Sequence, residues 1–245
     1  MSQPLVSVVV PAYQAARYIT AALTSIRQQD LPGEVGVIVV DDGSTDGTDR
    51  VVATTDPRAQ VLQRSNGGPA AARNTGVAAA AGEYVTFLDA DDLWPPDSLR
   101  RRLAHLQANP QAAGVMGRTV VFAGDTDGPT SADEEHFGPP VYGAFLGATL
   151  LRRHALERAG GFDETLRVGE DYDLLARVRE LGAPLLLMDE VCNWHRRHDR
   201  NLTLGVQRDT SNILQVVKAS LDRRRAQGGH ASPLPSFGDD TSDAS

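Results

Sequence analysis

Five short segments hold the residue types able to do chemistry. They are Asp41 to Ser44, Asn66 to Gly68, Asp89 to Asp92, Gly169 to Asp173 and Trp194 to His198. The sharpest is Asp89-Ala90-Asp91-Asp92, which ends an apolar β-branched run. Alternate side chains along a strand face the same way, so Asp89 and Asp91 can address one ligand. Two carboxylates so placed suit a hard cation, Mg²⁺ or Mn²⁺, which keeps waters and binds substrate phosphates. A solvated acidic turn is the plainer reading. Against it, three acids crowded at a buried strand end repel one another unless a cation is present.

The second acidic segment contains Asp171, with Leu174, Leu175 and Val178 at i+3, i+4 and i+7. That spacing puts Asp171 on the inward face of a helix. A partly buried carboxylate beside a cleft can act as a general base. An acid complementing a helix N-terminus is the equal alternative. Asp42 can accept a hydrogen bond from a base or a ribose, while Ser44, Thr45 or Asp46 could cap the helix that follows. Asn66-Gly67-Gly68-Pro69 opens a helix with Arg73 one turn in, which is either a phosphate site or an ordinary loop entry. His195 and His198 could add a ligand to a carboxylate-bound cation, with Arg196 near phosphate; a structural role is the alternative. The two commonest nucleotide motifs, GxGxxG and GxxxxGK[ST], are absent.

The elements that must position these residues alternate. Strands are expected over Leu5 to Val10, Val35 to Val40, Gln60 to Gln63 and Tyr84 to Leu88. Helices are expected over Ala16 to Gln29, Thr48 to Thr54, Pro69 to Ala81 and Asp97 to Ala108. Continuous apolar strands between helices predict parallel βαβ units in a three-layer α/β/α sandwich. Ligands bind such sheets at the carboxyl ends of the strands, and four ends in succession here are polar or turn-forming: Pro11-Ala12-Tyr13 and the first three acidic or glycine segments above. Beyond residue 110 the pattern predicts strands over Ala113 to Ala123, Tyr142 to Leu151 and Leu185 to Trp194. Helices are expected over His154 to Ala159, Asp171 to Leu181 and Gly205 to Arg225. Gly124 to Pro140 reads as a loop and 227–245 as a disordered tail. The reading is one domain over 1–226, with a nucleotide half to about 110 and an acceptor half after it.

Composition narrows the function. The chain has 245 residues, with 24 Lys plus Arg against 32 Asp plus Glu, a net charge of −8. That balance argues against a duplex nucleic-acid binder, which neutralises phosphates with basic side chains. No apolar run approaches the ~18 residues of a membrane span, and Met1 to Pro4 lacks the basic start of a signal peptide. Association with a membrane surface stays open. The single Cys192 excludes an internal disulfide and suits a reducing cytoplasm; its simplest role is a small buried hydrophobe. The one lysine, Lys218, lies near the C-terminus, which counts against a phosphoryl or nucleotidyl transferase needing a phosphate-binding lysine.

Taken in order, Val6 to Tyr13, Val39 to Asp46, Gly68 to Asn74, Gly82 to Asp92, Gly161 to Glu164 and Gly169 to Asp173 resemble family-2 glycosyltransferases, which have the GT-A fold. The resemblance implies an inverting transfer from a nucleotide-sugar, usually a UDP-sugar, to an acceptor hydroxyl. It implies that Pro11, Ala12, Tyr13, Asp42, Gly68, Arg73, Asp89, Ala90 and Arg196 line the donor site, with Tyr13 near the base. Asp89-Ala90-Asp91 is similar to the family's DXD metal motif, and His198 to the histidine of its R-x-H segment, so Asp89, Asp91 and His198 would hold Mn²⁺ or Mg²⁺. Asp171 matches the catalytic base. His195 departs from the family, where an aromatic is common. The QxxRW signature of processive synthases is absent. A non-catalytic nucleotide-sugar-binding module is the remaining alternative; the presence of both Asp91 and Asp171 argues against it.

Overall fold

The computed structural model describes residues 5–31, 33–124, 138–166, 168–198 and 210–226. The expected 227–245 tail, most of the expected 124–140 loop and the start of the last expected helix lie outside these. A seven-stranded sheet forms the centre. Its strands are β1 (Val6–Ala12), β2 (Val35–Asp41), β3 (Gln60–Gln63), β4 (Tyr84–Phe87), β5 (Gly114–Ala123), β6 (Thr149–Arg152) and β7 (Leu185–Arg197). The spatial order is β3-β2-β1-β4-β6-β5-β7. Every pairing is parallel except those of β6, which runs antiparallel to both β4 and β5.

Alternation along β1 sets the layers. Val6, Val8 and Val10 pack with one core cluster and Val9 with the other, since successive side chains leave opposite faces. On the first face lie α1 (Ile19–Arg27), α2 (Thr48–Thr55) and α4 (Ser98–Ala108). On the second lie α3 (Pro69–Ala79), α5 (Arg153–Ala159) and α6 (Glu170–Glu180). The last helix, α7 (Thr210–Ala226), packs on α6. The three-layer, mostly parallel architecture expected from the sequence is present.

Most boundaries shift by one or two residues, and three larger or more consequential differences have a physical reason. Helix α1 begins at Ile19 and not Ala16, because Gln14 takes a left-handed backbone (φ 51°) and the next two amides donate to Thr48 Oγ1 and Asp46 Oδ2. Those two bonds pin the turn that precedes the helix, in which Tyr18 N and Ile19 N donate to the Ala15 carbonyl. The expected strand over Tyr142 to Leu151 is one only from Thr149. Residues before it turn through a 3-10 segment, Leu146–Ala148, whose Gly147 carbonyl accepts from Trp94 Nε1 (2.7 Å) and Arg102 Nη1 (2.9 Å). Arg102 is fully buried against the Trp94 ring, and loss of water pushes its guanidinium down to about 10. Finally, β7 runs past Trp194 to Arg197, because β5 continues alongside it to Ala123. His195 and Arg196 are thereby strand residues.

Candidate active site

The carboxyl ends of β1, β2 and β4 meet at one edge. The β1 and β2 loops are knitted together there. Gln14 N donates to Ser44 Oγ (3.0 Å), Thr45 N to Gln14 Oε1 (3.0 Å) and Ala16 N to Asp46 Oδ2 (3.0 Å). Ser44 to Asp46 thus bind a neighbouring loop as well as the start of α2, where only Asp46 meets Thr48 N. The result is a hydrogen-bonded ledge next to Tyr13, a residue 54% exposed.

Asp42 is buried at that ledge. Its oxygens accept from Gly67 N (3.1 Å) and Gly68 N (2.8 Å), and Arg64 Nε lies 3.4 Å away. The carboxylate shapes the Asn66 to Gly68 loop. Gly68 takes φ 89°, open only to glycine without strain, and so turns its amide toward Asp42 while starting α3.

Strand β4 ends at Phe87, so Asp89 to Asp92 form a turn, closed by Asp92 N to Asp89 O (3.0 Å), and do not continue the strand. Strand alternation therefore does not orient Asp89 and Asp91. The crowding argument for a cation is also weaker than the sequence suggested, because each acid has a protein partner. Asp89 Oδ1 accepts from Arg73 Nη2 (2.8 Å) while its side chain stays 42% exposed. Asp91 Oδ2 meets His198 Nε2 (2.9 Å). Asp92 is buried and receives Arg196 N (2.9 Å), His195 Nδ1 (3.0 Å) and Asn193 Nδ2 (3.2 Å). Burial alone would lower His195, but the Asp92 charge and hydrogen bond hold its imidazolium up at about 9. Burial and the charges of Asp92 and Asp89 push Asp91 up to about 6 against the His198 bond.

Arg196 is not placed to meet a phosphate. It is fully buried, donates to the carbonyls of Asp91 (2.8 Å) and Gly124 (3.1 Å), and lies against Tyr18 and Phe122. Its position makes it a brace under the turn. Tyr18 stacks on His198 with ring centroids 4.7 Å apart, fixing that imidazole against Asp91. Nothing in the sequence marked Tyr18. Among the described residues, no group of three or more His, Cys, Asp or Glu is gathered closely enough to hold a metal ion. Asp91 and His198 are brought together; Asp89 faces Arg73.

Helix α6 starts from Gly169, another glycine in the left-handed region (φ 89°). The sequence placed Asp171 inward, but its neighbours Glu170 and Asp173 are the buried acids of this turn and Asp171 is half-buried. Asp173 pairs with Arg177 (2.7 Å) and Arg223 (3.2 Å). Glu170 Oε1 accepts from Arg73 Nη1 (2.7 Å), so the buried Arg73 spans both acidic segments with one guanidinium. Among the described residues Asp171 receives its neighbour's amide alone, Tyr172 N (2.8 Å). Burial, then the Glu170 charge, push Asp171 up to about 7 against the opposing pull of Arg73. A carboxyl group poised there exchanges a proton near neutral pH. The Arg73–Glu170 pairing, across 97 residues, was invisible in the sequence, although Glu170 is adjacent to Asp171.

Comparison with known proteins agrees with this fold. The family model described as Glycosyl transferase family 2 matches residues 7–161. A chondroitin synthase of Pasteurella multocida is 29% identical over 91% of this chain and 24% of its own length. The succinoglycan biosynthesis protein ExoO of Rhizobium meliloti is 34% identical over 73% of this chain and 57% of its own. The chain thus spans about a quarter of the former and little over half of the latter. Among solved structures, residues 1–349 of S. aureus TarS in complex with UDP-GlcNAc share the fold (TM-score 0.72, 24% identity, 90% of this chain and 66% of that one). So does the mannosyltransferase PcManGT of Pyrobaculum calidifontis in complex with GDP-Man and Mn²⁺ (TM-score 0.67, 24% identity, 96% and 67%). With the mostly parallel sheet, the GT-A architecture and the family match over more than half its length, this chain belongs to glycosyltransferase family 2.

Proposed function

We propose that the chain moves a sugar from a nucleoside-diphosphate sugar, a UDP-sugar by its resemblance, to an acceptor hydroxyl with inversion at the anomeric carbon. The observation that carries this reading is Asp171. It is half-buried, raised to about 7, and tied through Glu170 and Arg73 to the Asp89 turn. Asp171 takes the proton of the acceptor hydroxyl. The freed oxygen bonds to the anomeric carbon on the face opposite the diphosphate. The bond from that carbon to the diphosphate oxygen breaks, and its electron pair leaves with the nucleoside diphosphate. One displacement inverts the centre without an enzyme nucleophile, unlike retaining glycosidases. Tyr13 offers an exposed aromatic residue for the base, beside the loop that Asp42 holds. The nucleotide-sugars named with TarS and PcManGT support the donor class.

The acidic turn suits a divalent cation. Asp91 Oδ2 and His198 Nε2 lie 2.9 Å apart. Two adjacent ligands each about 2.1 Å from one octahedral ion would be separated by about 3.0 Å. Asp91 and His198 would hold Mn²⁺ or Mg²⁺ as a pair, and Asp89, which faces Arg73, would have to turn from it to add a third ligand. When bound, such an ion supplies positive charge against the departing diphosphate. UDP is expected to raise the melting temperature with Mn²⁺ and not with EDTA; equal shifts would remove the metal from this proposal.

Asp171→Asn tests the base. It keeps the shape and removes the proton acceptor, so UDP binding persists while sugar transfer falls about 10²–10⁴-fold. Unchanged turnover would return Asp171 to a role at the helix terminus.

A further inference from the structure

Among the described residues, helix α7 leaves one face without a packing partner. Val216 and Ser220 are buried, and Ser220 Oγ and Arg223 Nε donate to Glu180 of α6 (2.6 and 2.8 Å). On the opposite face, Leu214 is 65% exposed and Val217 49% exposed, with half-buried Leu221 completing an i, i+3, i+7 stripe. At about 100° per residue, Lys218 and Arg225 fall on one flank of that stripe and Arg224 on the other. Among the described residues Asp222 is the one acid beside it, 4.0 Å from Arg225. The cationic character extends inward: burial and then the charge of Arg224 lower the Arg179 guanidinium of α6. A chain of net charge −8 thus gathers Lys218, Arg224 and Arg225 around exposed aliphatic side chains.

We propose that this face of α7 docks on an anionic lipid bilayer. An apolar stripe flanked by basic side chains fits a helix lying in the interfacial plane, aliphatic groups inward and cations at the headgroups. A second copy fits worse. A two-fold contact would bring together two copies of a patch that carries Lys218, Arg224 and Arg225 and, among the described residues, the single acid Asp222. Among the described residues no helix is long and apolar enough to cross a membrane, so the contact is a surface one. The inference stands apart from the catalytic reading, because its assay contains no donor.

The test is sedimentation of the full chain with vesicles of phosphatidylcholine alone or with about one-third phosphatidylglycerol. Binding is expected to the anionic vesicles only, and to weaken with salt. Lys218→Glu with Arg225→Glu is expected to weaken the partition by at least roughly fivefold per charge. Leu214→Ser with Val217→Ser is expected to remove it at low salt too. All four positions are exposed, so the variants should keep the parent melting temperature. Absence of binding to anionic vesicles would overturn the proposal, as would variants that bind like the parent. A dimer in solution that the serine variant dissociates would overturn it in favour of a second copy.

Discussion

The ledge after β2 and the acidic pair formed by the β4 turn and α6 bury the same residue type to opposite ends. Asp42 sits among donors: two backbone amides and the Arg64 guanidinium face its oxygens. Asp91 and Asp171 sit among other acids, and their protons are held up to about 6 and about 7. Burial with enough donors makes a carboxylate a structural anchor; burial beside like charge makes it reactive. Asp92 behaves as the ledge does although it adjoins Asp91, because Asn193, His195 and the Arg196 amide surround it. The distinction is set by partners and not by position in a motif.

Arg73 is the residue through which the acidic pair can be broken. Its charge opposes that of Glu170 at Asp171, and the two should therefore be separable by sign. A base works when ionised, so kcat/KM of the parent is expected to rise with pH through about 7. Arg73→Lys cannot reach Glu170 and Asp89 with one fork, which weakens the opposing positive field. Its acid limb should move to higher pH. Below the limb, each unit of displacement costs about tenfold in rate. Glu170→Gln removes the negative neighbour and should move the limb to lower pH. Shifts in the same direction for both variants would show that the bridge only holds the fold. Melting temperatures separate that outcome from partial unfolding, since removing one member of a buried pair can cost about 3–5 kcal/mol.

How much of this was legible follows from range. Strands β1, β2 and β4 and helices α3 and α6 announce themselves through local signals: β-branched runs, Pro69 after Gly68, and acids ahead of Leu174, Leu175 and Val178. Their ends put the candidate residues on one edge, so the types of side chain at the site were readable. Their partners were not. Arg73 finds Asp89 and Glu170, His198 finds Tyr18, and Asp92 finds the end of β7 only after the sheet brings distant segments together. The same limit explains Arg196, which looks like a phosphate ligand in sequence and is spent on two carbonyls in the fold. It also explains Tyr142 to Ala148, where β-forming residues yield to a turn that supplies the Gly147 carbonyl to Trp94 and Arg102.

The ledge offers the smaller and complementary test. Asp42→Asn keeps the volume but turns an amide N–H₂ toward donors that need an acceptor. Oδ2 accepts from both Gly67 N and Gly68 N, so the amide oxygen can keep that pair, but the new N–H₂ then faces Arg64 Nε and Gly67 N in a buried site, which costs about 1–3 kcal/mol. The melting temperature should fall accordingly. If the ledge only organises the loop beside Tyr13, donor KM should rise, while the acid limb set by Asp171 stays where the parent has it. A displaced limb would mean that Asp42 is electrically coupled to the acidic pair across the sheet edge. The two regions would then be one charged site and not an anchor beside a reactive centre. An unmoved limb with raised KM keeps them separate, and assigns binding to the saturated carboxylate and proton transfer to the crowded one.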